Sequence, residues 1–330
     1  MKTFNELKPG YDFLLEENVT YQNVSKNNPF TINSLGNVNV FEWAKKYRDS
    51  LNNLLLEKGA ILLRGFKIEG AENFNKLFSI ISGEAIEYKN RTSPRDRVYS
   101  NVYTSTSHPN DQTIHMHTEN SYSNEYNRII AFYSLVPAPE GGETPIADER
   151  KLMANLKEET LKKFKEKGVL YTRNSMPGIG LNWETIYQTT DKNEVNKTLE
   201  NLGYDYTWVD DDHLRVTWKL KAIHKHPITG KDMWFNHMFF GINSHYDPAV
   251  IEFLGEENLP FVTYYGDGTK IEPEVIKEFV NYYKENSIVF KWKQDDFLLL
   301  DNMMFSHGRR PFEGERTTLT AMGEVYQMKT

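Results

Sequence analysis

A mostly β protein with flanking helices, in the pattern of a double-sheet jelly roll, is predicted by three features of the sequence. Short apolar or β-branched runs recur, bounded by Gly, Pro and Asn/Asp turns. Apolar residues at helical spacing fall in separate segments between those runs. Aromatic residues make up 13% of the 330 residues, and aromatics pack well on pleated surfaces. Helices outside short, turn-separated strands agree with a double-sheet β architecture.

Taken in order, residues 1–37 are polar and turn-rich without a clear period, and are expected to wrap the surface. Val40, Phe41, Ala44, Tyr47, Leu51, Leu54 and Leu55 recur at helical spacing, predicting one helix that stops at Lys58-Gly59. The run 60–63 reads as a buried strand. A second helix carries Phe74, Leu77, Phe78 and Ile81, and Gly83 closes it. Residues 91–107 read as strand and loop leading into a strand with His117 and Glu119, followed by a strand over 128–135. Pro137, Pro139 and Gly141-Gly142 force a turn, and Asp148 can cap a helix bearing Leu152, Leu156 and Phe164. The section 170–235 mixes short strands with an acidic helix near 191–202, and Asp210-Asp211-Asp212 forms a solvated turn. A late helix is predicted over 273–286, then strands over 288–292 and 297–300. Neither an internal repeat nor a linker divides the chain, so residues 1–330 are expected to form a single domain.

The formal net charge of −7 argues against non-specific nucleic-acid binding, and no basic run suits an acidic membrane. Without a cysteine, any metal must sit on His and carboxylate side chains. The N-terminus lacks the apolar core of a signal peptide. No stretch approaches the roughly 18 apolar residues of a membrane span, so the cytoplasm is the expected location.

The chemistry concentrates in Thr113-Ile114-His115-Met116-His117-Thr118-Glu119. On an extended chain His117 and Glu119 leave the same face, so an imidazole and a carboxylate can converge on one ion. A third ligand, His307, follows the apolar run 297–300. Two histidines and one carboxylate form the facial triad of non-haem Fe(II) oxygenases. His115 also lies two residues from His117, but neighbouring same-face residues on a strand are about 6.6 Å apart, so His115 and Glu119 stand too far from each other to share one ion easily. It is expected to be a polar neighbour, and His237 a pocket or core residue. From these residues alone, a Zn²⁺ hydrolase or a non-catalytic jelly-roll binding module remains open.

Three motifs in this order, His117-Thr118-Glu119, Gly141-Gly142-Glu143-Thr144-Pro145 and His307-Gly308-Arg309, with Arg316 nine positions later, resemble the taurine dioxygenase-like family of Fe(II)/2-oxoglutarate-dependent oxygenases. The branch it most resembles is that of the amino-acid hydroxylases near clavaminate synthase, over nearly the whole chain. The resemblance implies a double-stranded β-helix (jelly roll), in which residues 170–235 are an insertion contributing to the substrate side. It implies His117, Glu119 and His307 as Fe(II) ligands, with 2-oxoglutarate and dioxygen as co-substrates at the open positions. Arg316 and Thr144 match the residues that hold the distal carboxylate of 2-oxoglutarate, for which a guanidinium fork is suited. A zinc hydrolase would have no use for this pair. Where some relatives carry a further Arg, this chain has Thr320, which leaves the hold on the substrate open. Gln112, Asn236 and Arg309 are candidate substrate residues. The implied reaction is hydroxylation of an unactivated C–H of an amino acid, free or tethered to a carrier protein, or of a peptide-like metabolite. Desaturation and ring closure remain open outcomes.

Overall fold

The computed structural model describes residues 11–15, 18–87, 95–106 and 108–328. Strands β1 (Val19–Gln22) and β2 (Phe30–Ser34) lie at one end of the main sheet. This corrects the expectation of a surface wrap for the N-terminal segment as far as it is described. Phe30, Thr31 and Ile32 are all buried, and a strand covered on both faces shows no polar alternation to read. The single helix expected over 40–58 is two helices, α1 (Val40–Lys46) and α2 (Arg48–Lys58). Tyr47 breaks them at φ −112° and ψ 22°, although the apolar spacing continues across it. Gly59 then ends α2 at φ 77°, where a Cβ would lie 2.6 Å from the Phe305 ring. Strand β3 (Ala60–Arg64) and helix α3 (Ala71–Ser82) follow, closed by Gly83 as expected.

The next strands are β4 (Arg97–Tyr99), β5 (Val102–Thr104), β6 (Ile114–His117), the long β7 (Glu125–Val136), β8 (Glu140–Gly141) and β9 (Ile146–Asp148). The side chain of Asp148 accepts from the Arg150 backbone N–H and so caps α4 (Glu149–Asn155). The helix expected to run on to Phe164 stops at Leu156, which is extended at ψ 147°, and α5 (Glu158–Lys167) carries Phe164 instead. Then come β10 (Val169–Ser175), α6 (Trp183–Tyr187), α7 (Lys192–Leu202), β11 (Asp205–Trp208), β12 (Leu214–Leu220), β13 (Ile223–Lys225) and β14 (Asp232–Trp234). Beyond α8 (Pro248–Leu254) and β15 (Phe261–Tyr265) lies α9 (Pro273–Asn286), at the predicted bounds. Residues 288–292 are not the strand expected. Ile288 makes only an isolated bridge to Ile146, at the start of β9, an edge strand of only three residues that offers little backbone to pair with. The chain ends with β16 (Phe297–Asp301), β17 (Phe305–Arg309), β18 (Phe312–Glu313) and β19 (Thr317–Gln327).

An eight-stranded sheet in the order β1-β2-β3-β16-β7-β19-β5-β4 forms the backbone of the molecule. Its central strands alternate between two cores, as a period of two requires. Ile129, Ala131, Tyr133, Phe297 and Leu299 face helices α1 to α3 with Phe74 and Leu54. Ile130, Phe132, Leu298 and Leu300 face the other way, against Ile146 and Phe305 of the three-stranded sheet β6-β17-β9. A further sheet, β11-β12-β10-β15, packs with α5, α7 and α9 around Phe164, Trp218 and Phe279. Among the described residues no helix is long and apolar enough to cross a membrane.

Candidate active site

Strand pairing builds the centre of the site. β6 and β17 are antiparallel, and their register sets His117 opposite His307, with ring centroids 4.5 Å apart. Glu119 does not lie on the strand, as the sequence suggested. β6 ends at His117, and Glu119 sits in the turn that follows. That turn is fixed by Asn302, from the β16–β17 connection, whose Oδ1 accepts from the Glu119 backbone N–H (2.8 Å). Its Nδ2 donates to the carbonyls of Glu119 (2.9 Å) and Asn127 (2.8 Å). As a result, ligand atoms of His117, Glu119 and His307 all lie within 4.8 Å of one another.

The donor set fits a divalent ion of the Fe(II) type. The Nδ1 of His117 lies 2.8 Å from the His115 carbonyl, which can only accept, so the proton belongs on Nδ1 and Nε2 keeps its lone pair. Burial, outweighing the pull of Glu119, lowers the pKa of His117. Burial and the neighbouring His117 and Arg95 hold His307 well below the ordinary value. Both rings are therefore neutral, the state that binds a metal. The Nδ1 of His307 is buried without a hydrogen-bond partner among the described residues. Arg95 Nη2 donates to Glu119 Oε2 at 2.6 Å, a buried ion pair.

Neither His115 nor His237 belongs to this cluster. His115 stacks on His245, with centroids 3.4 Å apart and planes at 3°. His237 is buried, with Nδ1 3.1 Å from the Thr118 carbonyl, and it lines the cavity.

A cavity of about 570 Å³ opens over the triad, within the roughly 300–1,000 Å³ usual for ligand pockets. Thr144 and Arg316 line it. Thr144 Oγ1 accepts from Trp292 Nε1 (3.1 Å). Arg316 Nε donates to the Gly142 carbonyl (3.0 Å), and its Nη groups meet no acceptor among the described residues. Burial, with the Arg309 charge beside it, pushes the Arg316 guanidinium down to about 10. A carboxylate ligand would relieve that cost.

The substrate candidates divide. Gln112 is exposed and lines the cavity. Arg309 also lines it, but its guanidinium donates to the carbonyls of His108 (2.9 Å), Pro109 and Gln112 (2.8 Å), so it organises the loop. Asn236 lies off the cavity. Its Oδ1 accepts from Met238 N (2.9 Å) and its Nδ2 donates to the Ala222 carbonyl (2.8 Å), which pairs both ends of the amide inside a turn. Asn302, which holds the Glu119 turn, and Arg173, which lines the cavity, were not expected from the sequence. The polar Asp301-Asn302 pair interrupting the apolar run 297–305 was a signal for Asn302, and nothing local marked Arg173.

The family described as "Taurine catabolism dioxygenase TauD, TfdA family" matches residues 26–322. The chain is 37% identical over 276 residues to the dapdiamide synthesis protein DdaC of Enterobacter agglomerans, covering 82% of this chain and 84% of that protein. It is 28% identical over 288 residues to a clavaminate synthase-like protein of Arabidopsis thaliana, covering 84% and 85%. The solved structure of PvcB from Pseudomonas aeruginosa shares the fold, with a TM-score of 0.58 at 12% identity over 100% of this chain and 99% of that one. The chain thus belongs to the TauD, TfdA family and is an Fe(II)- and 2-oxoglutarate-dependent dioxygenase that uses molecular oxygen.

Proposed function

We propose that this dioxygenase hydroxylates an unactivated C–H of an amino acid, free or carrier-tethered, or of a peptide-like metabolite, with His117, Glu119 and His307 holding the iron. Convergence of the three side chains from a strand, a turn and a distant strand is the observation that carries the reading. Thr144 and Arg316 would hold the distal carboxylate of 2-oxoglutarate, since both line the same cavity and Arg316 has Nη donors to give. Iron and 2-oxoglutarate, when bound, would activate dioxygen, one oxygen atom entering succinate as carbon dioxide leaves and the other entering the substrate C–H bond.

The protein's share is placement and exclusion of water. His117 and His307 present neutral imidazoles, the Asn302 clamp fixes the Glu119 turn, and Phe132 packs 4.9 Å from the His307 ring. In this reading the paired sheets are the two layers of a double-stranded β-helix (jelly roll). The chain works as a single domain, and the segment 170–235 is an insertion that contributes Arg173, Leu181 and Ile186 to the cavity wall. The relatives' names, a dapdiamide synthesis protein and a clavaminate synthase-like protein, support a substrate drawn from small-molecule synthesis.

Anaerobic titration with Fe(II) and 2-oxoglutarate tests the assignment. The weak visible charge-transfer band of a chelated Fe(II)–oxoacid is expected for the unmodified protein and for His115→Ala, and it should vanish in His117→Ala and His307→Ala. Equal loss in His115→Ala and His117→Ala would overturn the ligand set. Succinate release across free and carrier-bound amino acids then identifies the substrate.

A further inference from the structure

We infer that Arg173 anchors a free carboxylate carried by the substrate, at a place in the cavity separate from Arg316. The inference rests on the oxygenase reading for what the cavity does. On β10, Tyr171 and Arg173 leave the same face, and Arg173 pairs across the sheet with Phe261 of β15 and Val216 of β12. Its guanidinium carbon lies 5.3 Å from the ring centre of Trp218, 5.6 Å from Tyr122 and 5.8 Å from Phe261. Rings of this kind compensate a cation only in part.

Arg173 Nη2 is buried, and the guanidinium meets no acceptor among the described residues. A buried charge left this way is costly unless a partner arrives. The side chain lines the cavity, so the partner can come from there. The other cavity arginines are engaged: Arg95 with Glu119, Arg309 with loop carbonyls, and Arg316 with the Gly142 carbonyl and, as proposed, the co-substrate. A planar fork walled by aromatic rings selects a carboxylate, held by two parallel hydrogen bonds. Phe240, Pro260, Leu181 and Ile186 offer an apolar wall for the carbon part of the ligand. An α-carboxylate consumed in a thioester has no charge to give Arg173. The substrate is therefore a free amino acid, or a derivative with a second acid group.

Calorimetric titration of the anaerobic protein, loaded with Fe(II) and 2-oxoglutarate, tests this with the free L-amino acids and their primary amides as probes. The amides of Asp and Glu, which keep a side-chain acid, separate the two sources of carboxylate. At least one acid should bind tenfold or more tightly than the matching compound without it. Arg173→Met, which keeps the packing against the rings, should abolish that preference, and Arg173→Lys should retain only part of it. An absent preference in the unmodified protein, or one unchanged in Arg173→Met, would overturn the assignment. The Fe(II)–2-oxoglutarate band is read on the same samples. Its absence from the unmodified protein counts against the oxygenase reading, while the acid-over-amide comparison still decides Arg173.

Discussion

Arg316 and Arg310 lie six residues apart but in different physical settings. Arg310 is exposed, whereas Arg316 sits against the Phe312 ring at 5.5 Å in a cavity where burial, with a second guanidinium beside it, depresses its pKa. Its fork geometry, not its charge alone, should therefore set co-substrate affinity. Replacing Arg316 by Lys keeps the charge and loses the bidentate contact. At about 1.5–3 kcal/mol for each hydrogen bond to a charged group, the apparent affinity for 2-oxoglutarate should fall tenfold or more. Arg310→Lys should leave it within about twofold. A titration of each variant with 2-oxoglutarate, followed by the visible band, compares the two, and a larger effect at Arg310 would remove Arg316 from its role.

Two connections between strands matter more than their lengths suggest. In the first, Asn302 ties the β16–β17 connection to the turn after β6, using three hydrogen bonds made inside the core. Asn302→Ala leaves those buried groups unpaired, each at about 1–3 kcal/mol. Both the urea midpoint and the iron affinity should drop, and a variant that unfolds normally with unchanged iron affinity would show that the clamp does not position Glu119. In the second, Gly142 has φ +69°, and a Cβ there would meet Arg316 Cδ at 2.8 Å. Gly142→Ala should displace Arg316, so its 2-oxoglutarate affinity should fall by a larger factor than its iron affinity, as separate titrations would read. Both connections couple residues remote in sequence, which is why motif spacing pointed to Thr144 and Arg316 but gave no sign of what holds Arg316 in place.

Across the molecule, α4 and α9 meet where Tyr283 Oη donates to the Glu149 carboxylate at 3.2 and 3.3 Å. Burial pushes the Glu149 carboxyl up from 4.5 to about 8. The folded state therefore binds the proton more tightly than the unfolded chain, so the favourable contribution is complete below about pH 4.5 and is lost as pH rises through about 8. The urea midpoint of the unmodified protein should fall across that window by more than that of Glu149→Gln, and parallel curves would refute the shift. Local rules made much of the molecule legible: α3 and α9 from helical spacing with Gly83 and Pro273 at their ends, β3 and β16 from apolar runs, and the family from three motifs. They failed where local signals continued through a break, at Tyr47 and Leu156, and where β2, buried on both faces, carried no alternation. Periodicity and turn chemistry act over a few residues, so the chain alone shows which chemical groups are on offer and many of the elements that bear them. The folded molecule adds that His117 faces His307, that Arg95 pairs with Glu119, that Asn236 turns away from the cavity and that Arg173 reaches it without an acceptor among the described residues. Cross-strand register and the pairing of buried charges are settled by packing between segments that meet only when the sheets close.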